Sequence, residues 1–265
     1  MTRKHSPGAH VCLTVTKRGS VATILINRPY AGNAIDAGVR KALQSASADL
    51  NADPNIRTVV LTGAGEDGFS SGLDLPELAS LPPDGVAALA LDMRKTCEAL
   101  QSINAVTLAA LKGGCIGAAL ELALHCDIRV GRADLRVGFP GVGIGLVPGA
   151  AGIERLSRIA GLGPAQALYL TGGIISAERA FMLGMITNVF GPSEFEAAVA
   201  DFAGHLAQLP AVAARELKDL LRMAAKGAIP PEAGAQALAR CFSEGDAGER
   251  LRAMFEGPEP GTALH

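Results

Sequence analysis

Residues 105–126, AVTLAALKGGCIGAALELALHC, constrain this chain more than any other stretch. An apolar β-type run enters a glycine cluster and leaves as an Ala/Leu helix, so the segment reads as buried strand, tight turn and buried helix. It is also the most apolar window, but Lys112 and Glu121 break it and three glycines crowd its middle, against a transmembrane reading. The first helical residues fall near Gly117 and Ala118. Their amides lack partners within the helix and can face an oxygen that gains negative charge during a reaction. Glu121 lies one turn in, within reach of a substrate held by those amides. Taken alone, a glycine turn before a helix is more often plain packing architecture.

The flanking sequence repeats this grammar. LTVTKRGSVATILIN is patterned as a hairpin. A helix is expected from about Asp36, a good cap, to about Asn51, with Val39, Leu43, Ala46 and Leu50 at helical spacing. IRTVVLTGAG reads as a buried strand ending in a glycine loop, and a helix over about Asp84–Ser102 leads into AVTLAAL. DIRVGRADLRVG reads as two short strands around a charged turn. Strand, loop, helix in that order predicts an α/β core with partly parallel sheets. After Gly149 come short helical pieces, the strand candidate TNVF and, beyond Ser193, three or four longer helices. A soft boundary near Pro192 divides an α/β core, 1–192, from a helical region, 193–265, packed against it.

Composition narrows the partners. In 265 residues, 24 basic and 26 acidic side chains leave a net charge of −2 and no basic stripe, so neither nucleic acid nor a membrane surface is an expected partner. Small molecules come first. Five cysteines, 12, 97, 115, 126 and 241, form no CxxC pair, and their odd number fits the reducing cytoplasm. The start, MTRKHSPGAH, lacks a following apolar h-region, against secretion. No P-loop, dinucleotide fingerprint or zinc spacing occurs, so no metal or separate cofactor is expected.

A second glycine-rich strand end, GFSSGLDLPEL, offers further backbone donors, with Asp74 as cap or loop anchor. Together with ILINRPYAGNAID, VVLTGAGEDGFSSGLDL, KGGCIGAALELALHCDIRV, FPGVGIGLVPGAAGIERLSRIAG and LTGGIISAERAFMLGMITNV, it resembles the enoyl-CoA hydratase/isomerase (crotonase) superfamily. The resemblance runs in order from about Val11 to about Asn188, and a helical remainder fits it.

That resemblance implies a crotonase-like spiral of ββα units, a C-terminal helical region that builds a homotrimer or homohexamer, and acyl groups carried as coenzyme A thioesters. Coenzyme A would enter only as part of the substrate. The amides of Leu73 and Ala118 correspond to the oxyanion donors, and Glu121 to the first of two catalytic glutamates. Ala34, Ser71, Gly72, Asp74, Leu75, Ile116, Gly117, Pro140, Gly141 and Phe255 would border the substrate. The pattern departs at Gly141, where the second glutamate should stand, and at Gly149, where dienoyl isomerases carry an aspartate. Gly32 and Pro76 replace residues often basic in relatives. Arg28 and Arg40 are candidates to compensate, against solvated surface roles. Glu154 and His125 are the nearby groups that could substitute for the missing acid, against roles as surface charge and satisfied histidine. Lys218 and Lys226 read as solvated. The expected reaction is hydratase-type lyase chemistry with Glu121 as sole carboxylate. Isomerase, decarboxylase, thioester hydrolase and acyl-CoA-binding roles are the alternatives.

Overall fold

The computed structural model describes residues 11–66, 68–225 and 227–256. The amino-terminal decapeptide, Lys226 and the end of the AMFEGPEP segment lie outside these. Strands β1 (Leu13–Arg18) and β2 (Val21–Ile26) form the expected hairpin, with Ala22, Ile24 and Ile26 buried on one face. Helix α1 (Ala37–Asn51) starts where Asp36 accepts a hydrogen bond from the Val39 amide at 2.8 Å, and it buries Val39, Leu43, Ala46 and Leu50.

Three units of one design follow. In each, a longer strand is succeeded at once by a three-residue strand and then by helix: β3 (Thr58–Gly63), β4 (Gly68–Ser70), α2 (Leu75–Ala79) and α3 (Pro83–Ser102); β5 (Val106–Leu111), β6 (Gly114–Ile116) and α4 (Ala118–Leu124); β7 (Ile128–Arg132), β8 (Arg136–Gly138), α5 (Ala150–Ala160) and α6 (Leu162–Thr171). Next come β9 (Ile174–Ser176), α7 (Ala177–Met182) and β10 (Asn188–Phe190). The longer strands form a six-stranded sheet in the order β1-β2-β3-β5-β7-β10, parallel except for β1. The short strands form a second sheet, β4-β6-β8-β9, parallel except for β9. The strands of DIRVGRADLRVG therefore belong to different sheets, and the charged turn hands the chain from one to the other.

Four helices end the described residues: α8 (Phe195–Gln208), α9 (Ala211–Ala225), α10 (Pro231–Ser243) and α11 (Ala247–Glu256). Helix α8 covers one face of the large sheet, with Phe195, Val199, Ala203 and Leu206 packed on Val60, Leu108, Ala110 and Val130. The larger core fills the other side, between that sheet, the short sheet and α1, α3, α4 and α5. Helix α9 docks through charge. Lys218 is 6 % exposed; its Nζ donates to the Ala105 carbonyl at 2.8 Å and lies 2.5 Å from Asp127 Oδ2. The solvated role expected of Lys218 is thus corrected: its helical spacing points it at the edge of the sheet, where a carboxylate awaits it.

Candidate active site

The ends of β4 and β6 lie side by side. Gly72 has φ +95°, and a Cβ there would stand 2.5 Å from the Ile116 carbonyl oxygen and 3.3 Å from the Ala118 nitrogen. Only glycine permits that approach. Gly117, at φ 57°, turns the chain from β6 into α4, and its amide donates to the Gly138 carbonyl at 2.8 Å. On the opposite side Leu73 bridges Ile35: the Ile35 amide donates to the Gly72 carbonyl, and the Asp74 amide to the Ile35 carbonyl. Parallel pairing of this kind turns the Leu73 N–H away from Ile35. Neither the Leu73 nor the Ala118 amide has a hydrogen-bond partner among the described residues.

Charged clamps hold the first strand end. Asp74 caps α2 by accepting from the Glu77 amide at 3.1 Å. That bond and Arg28 keep its carboxyl below the usual range. Arg28 Nη1 reaches Asp74 at 3.1 Å and the Ala34 carbonyl at 2.7 Å, while Nη2 reaches Asp36 at 3.1 Å. Arg40, 4 % exposed, ties α1 to α2 and α3 through Glu77 at 2.9 Å and Asp92 at 2.7 Å. Neither arginine is a solvated surface charge, and both are committed to internal partners. Buried Asn33, at φ 55°, donates to the carbonyls of Ala64 and Gly68 and so pins the loop before β4.

Glu121 is 5 % exposed and faces α5. Its Oε1 accepts from the Gly149 amide at 2.9 Å. Burial pushes its carboxyl up to about 7, and the Gly149 bond opposes that rise. A Cβ on Gly149 would fall 2.7 Å from Glu121 Oε2, and one on Gly152 would fall 2.4 Å from its Cγ. A side chain at position 149 would meet the Glu121 carboxylate. Gly152 escaped the sequence reading; the pair G-A-A-G facing an acidic helix was its only signal.

The remaining expected residues divide. Ser71 and Ile116 line a cavity of about 150 Å³ with Pro29, Gly32 and Asn33, while Ala34 is buried behind it. A larger cavity, about 230 Å³, lies at the opposite ends of β3 and β5, near Arg57 and Leu209, away from Glu121. Leu75 is half exposed. Pro140 and Gly141 begin a 3-10 turn, Pro140–Ile144, that presents no carboxylate. His125 is buried, with Nδ1 at 2.7 Å from the Glu121 carbonyl. A carbonyl only accepts, so Nδ1 carries the proton, and burial lowers the pKa of the ring. This is a satisfied histidine. Glu154 is exposed on α5. Phe255, on the last turn of α11, is 85 % exposed and is not packed against the Glu121 loops.

Residues 16–253 match the family model described as enoyl-CoA hydratase/isomerase. A short-chain-enoyl-CoA hydratase of Clostridium acetobutylicum is 31 % identical over 242 residues, 91 % of this chain and 93 % of that one. A crotonyl-CoA hydratase of Syntrophomonas wolfei is 28 % identical over 250 residues, 94 % and 96 % of the two chains. The crystal structure of an enoyl-CoA hydratase from Bacillus anthracis superposes with a TM-score of 0.85 at 28 % identity, covering 92 % of this chain and 96 % of that one. The α/β spiral, with its paired strand ends and helical C-terminal region, is thus that of these hydratases, and the chain belongs to the enoyl-CoA hydratase/isomerase family.

Proposed function

We propose that the protein acts on an acyl-CoA thioester by stabilising an enolate, with hydratase-type lyase chemistry as its reaction. The observation that carries this is the approach of Gly72 to Ile116 and Ala118, which leaves two unpaired amides beside a buried carboxyl. The amides of Leu73 and Ala118 receive the thioester oxygen as it gains charge, and such a pair of fixed donors contributes most where water is excluded. Glu121, with a pKa near 7, exchanges a proton with water or with the carbon next to the thioester. Ser71, Gly72, Ile116, Gly117 and Ala34 border the thioester, and Asp74 with Leu75 shapes its edge. Pro140 and Gly141 flank the acyl group.

Coenzyme A is part of the substrate and no separate cofactor or metal takes part. All five cysteines are free thiols, which supports a reducing cytoplasmic setting, and no helix among the described residues is long and apolar enough to cross a membrane. The helical region from 193 onward assembles the homotrimer or homohexamer. Its outward Leu217, Leu221, Leu238, Phe242 and Met254 support that role, and Phe255 reaches substrate only in such an assembly.

The test is a panel of enoyl-, 3-hydroxyacyl- and malonyl-type CoA esters, repeated with Glu121→Gln. Turnover that survives the substitution unchanged sinks the role of Glu121. The bare Gly141 favours a second reading, in which isomerase, decarboxylase or thioester hydrolase chemistry uses the same amides, or the protein binds acyl-CoA without turnover. A Cβ at Gly141 meets Leu146, its Cβ at 3.3 Å and its carbonyl oxygen at 3.7 Å, so a side chain fits after a small shift. Hydratase activity that fails to rise in Gly141→Glu would mean that more than one group separates this chain from two-glutamate enzymes.

A further inference from the structure

Tyr169 lies on α6, the helix that packs against α5 and against the Pro140–Ile144 turn. Its ring leans on Phe139, with centroids 4.5 Å apart and planes tilted by 43°. Phe139 leads directly into Pro140 and Gly141, so the phenol sits under the segment that lacks the second acid. The Tyr169 hydroxyl is shut off from solvent and has no hydrogen-bond partner among the described residues. An unpaired buried hydroxyl costs stability, and phenylalanine would fill the same space without that cost. Burial, and after it the charge of Glu121, pushes the phenol pKa up, so the group keeps its proton and can donate it to a hydrogen bond. Of the two side chains that the sequence offers in place of the missing acid, His125 bonds the Glu121 carbonyl through Nδ1 and Glu154 is exposed.

We propose that Tyr169 donates a hydrogen bond to the substrate or water oxygen on which Glu121 works, making it a further catalytic residue of the site. The inference rests on the thioester reading above. In the hydration direction Glu121 takes one proton from water, the water oxygen bonds to the β-carbon, and Glu121 returns that proton to the α-carbon. The phenol holds the oxygen throughout and keeps its own proton. One carboxylic group then serves both proton steps, and the hydroxyl supplies the orientation that a second carboxylate would otherwise provide.

The chain has only two tyrosines, so 3-fluorotyrosine labelling gives two fluorine signals, and Tyr30→Phe assigns them. Binding of 3-hydroxybutyryl-CoA, followed in parallel by calorimetry, should move the Tyr169 signal, whereas coenzyme A alone should leave it in place. In turnover, Tyr169→Phe should lower kcat by about 10²-fold with little change in KM. The Glu121→Gln/Tyr169→Phe double variant should be no slower than Glu121→Gln alone, as expected of groups acting on one oxygen. Calorimetric binding with an unmoved Tyr169 signal, or a Tyr169→Phe enzyme at the wild-type rate, overturns this inference and leaves the thioester reading standing. No binding of the CoA ester overturns the thioester reading, and this inference falls with it.

Discussion

The Gly149 amide donates to Glu121 Oε1 across 2.9 Å, so the carboxylate of one helix is received by the N-cap residue of another. This single bond fixes the side chain while leaving Oε2 without a protein donor among the described residues. The same side chain leaves little room for a Cβ at Gly149, the cap, or at Gly152, one turn into α5.

The pH response of stability follows from the Glu121 carboxyl. Burial raises its pKa from an ordinary value of 4.5 to about 7 in the folded state. Between those values the native state holds a proton that the unfolded chain has released, so stability falls as pH rises from about 4.5 to 7 and then levels. The gap corresponds to about 3 kcal/mol. Glu121→Gln removes the charge and keeps an acceptor for Gly149. The variant should be more stable than wild type at pH 8 and no more stable at pH 4, as read by urea unfolding at the two pH values.

Gly152→Ala places a methyl 2.4 Å from Glu121 Cγ. Either the helices separate or the carboxylate moves. We expect a loss of about 1–3 kcal/mol in urea melts, together with a loss of turnover larger than that of any exposed α5 variant.

Gly72→Ala and Gly141→Ala form a matched pair. The first strains a left-handed backbone and drives Cβ to 2.5 Å from the Ile116 carbonyl, separating the two unpaired amides. The second needs only a slight shift of Leu146. With crotonyl-CoA, Gly72→Ala should lose about 10²-fold in kcat, and Gly141→Ala should stay within a few-fold of wild type.

Lys218→Met leaves the Asp127 carboxylate, which also accepts from the Thr107 amide and hydroxyl, without its cation. Removing one partner from a fully buried pair costs about 3 kcal/mol, and the half-buried Asp127 brings the expected loss to about 1–3 kcal/mol. Differential scanning calorimetry should record the loss, and spectroscopy of the native state should still report an intact sheet.

Local grammar was legible where the causal residues are neighbours. Asp36 caps α1 because its acceptor and donor lie three residues apart, and the buried strand IRTVVLTGAG announces itself by composition alone. Glu121 stood out as a lone acid in an apolar helix. Lys218 and Arg40 did not, since helical periodicity cannot distinguish a solvated cation from one meeting a carboxylate far along the chain. Lys218 pairs with Asp127, and Arg40 with Glu77 and Asp92. The role of Gly149 was illegible for another reason: a backbone N–H belongs to every residue except proline and leaves no mark in the sequence. Strands β4 and β6, three residues each, are too short to display a period.

The handing of the chain from the large sheet to the small one happens three times, and each crossing ends in a turn that could expose an amide. After β4 that amide is Leu73, and after β6 it is Ala118. After β8 the chain reads Phe139–Pro140, and proline has no proton to offer. A threefold architectural rhythm thus leaves two unpaired amides, with a proline ring closing the corresponding place at its third beat.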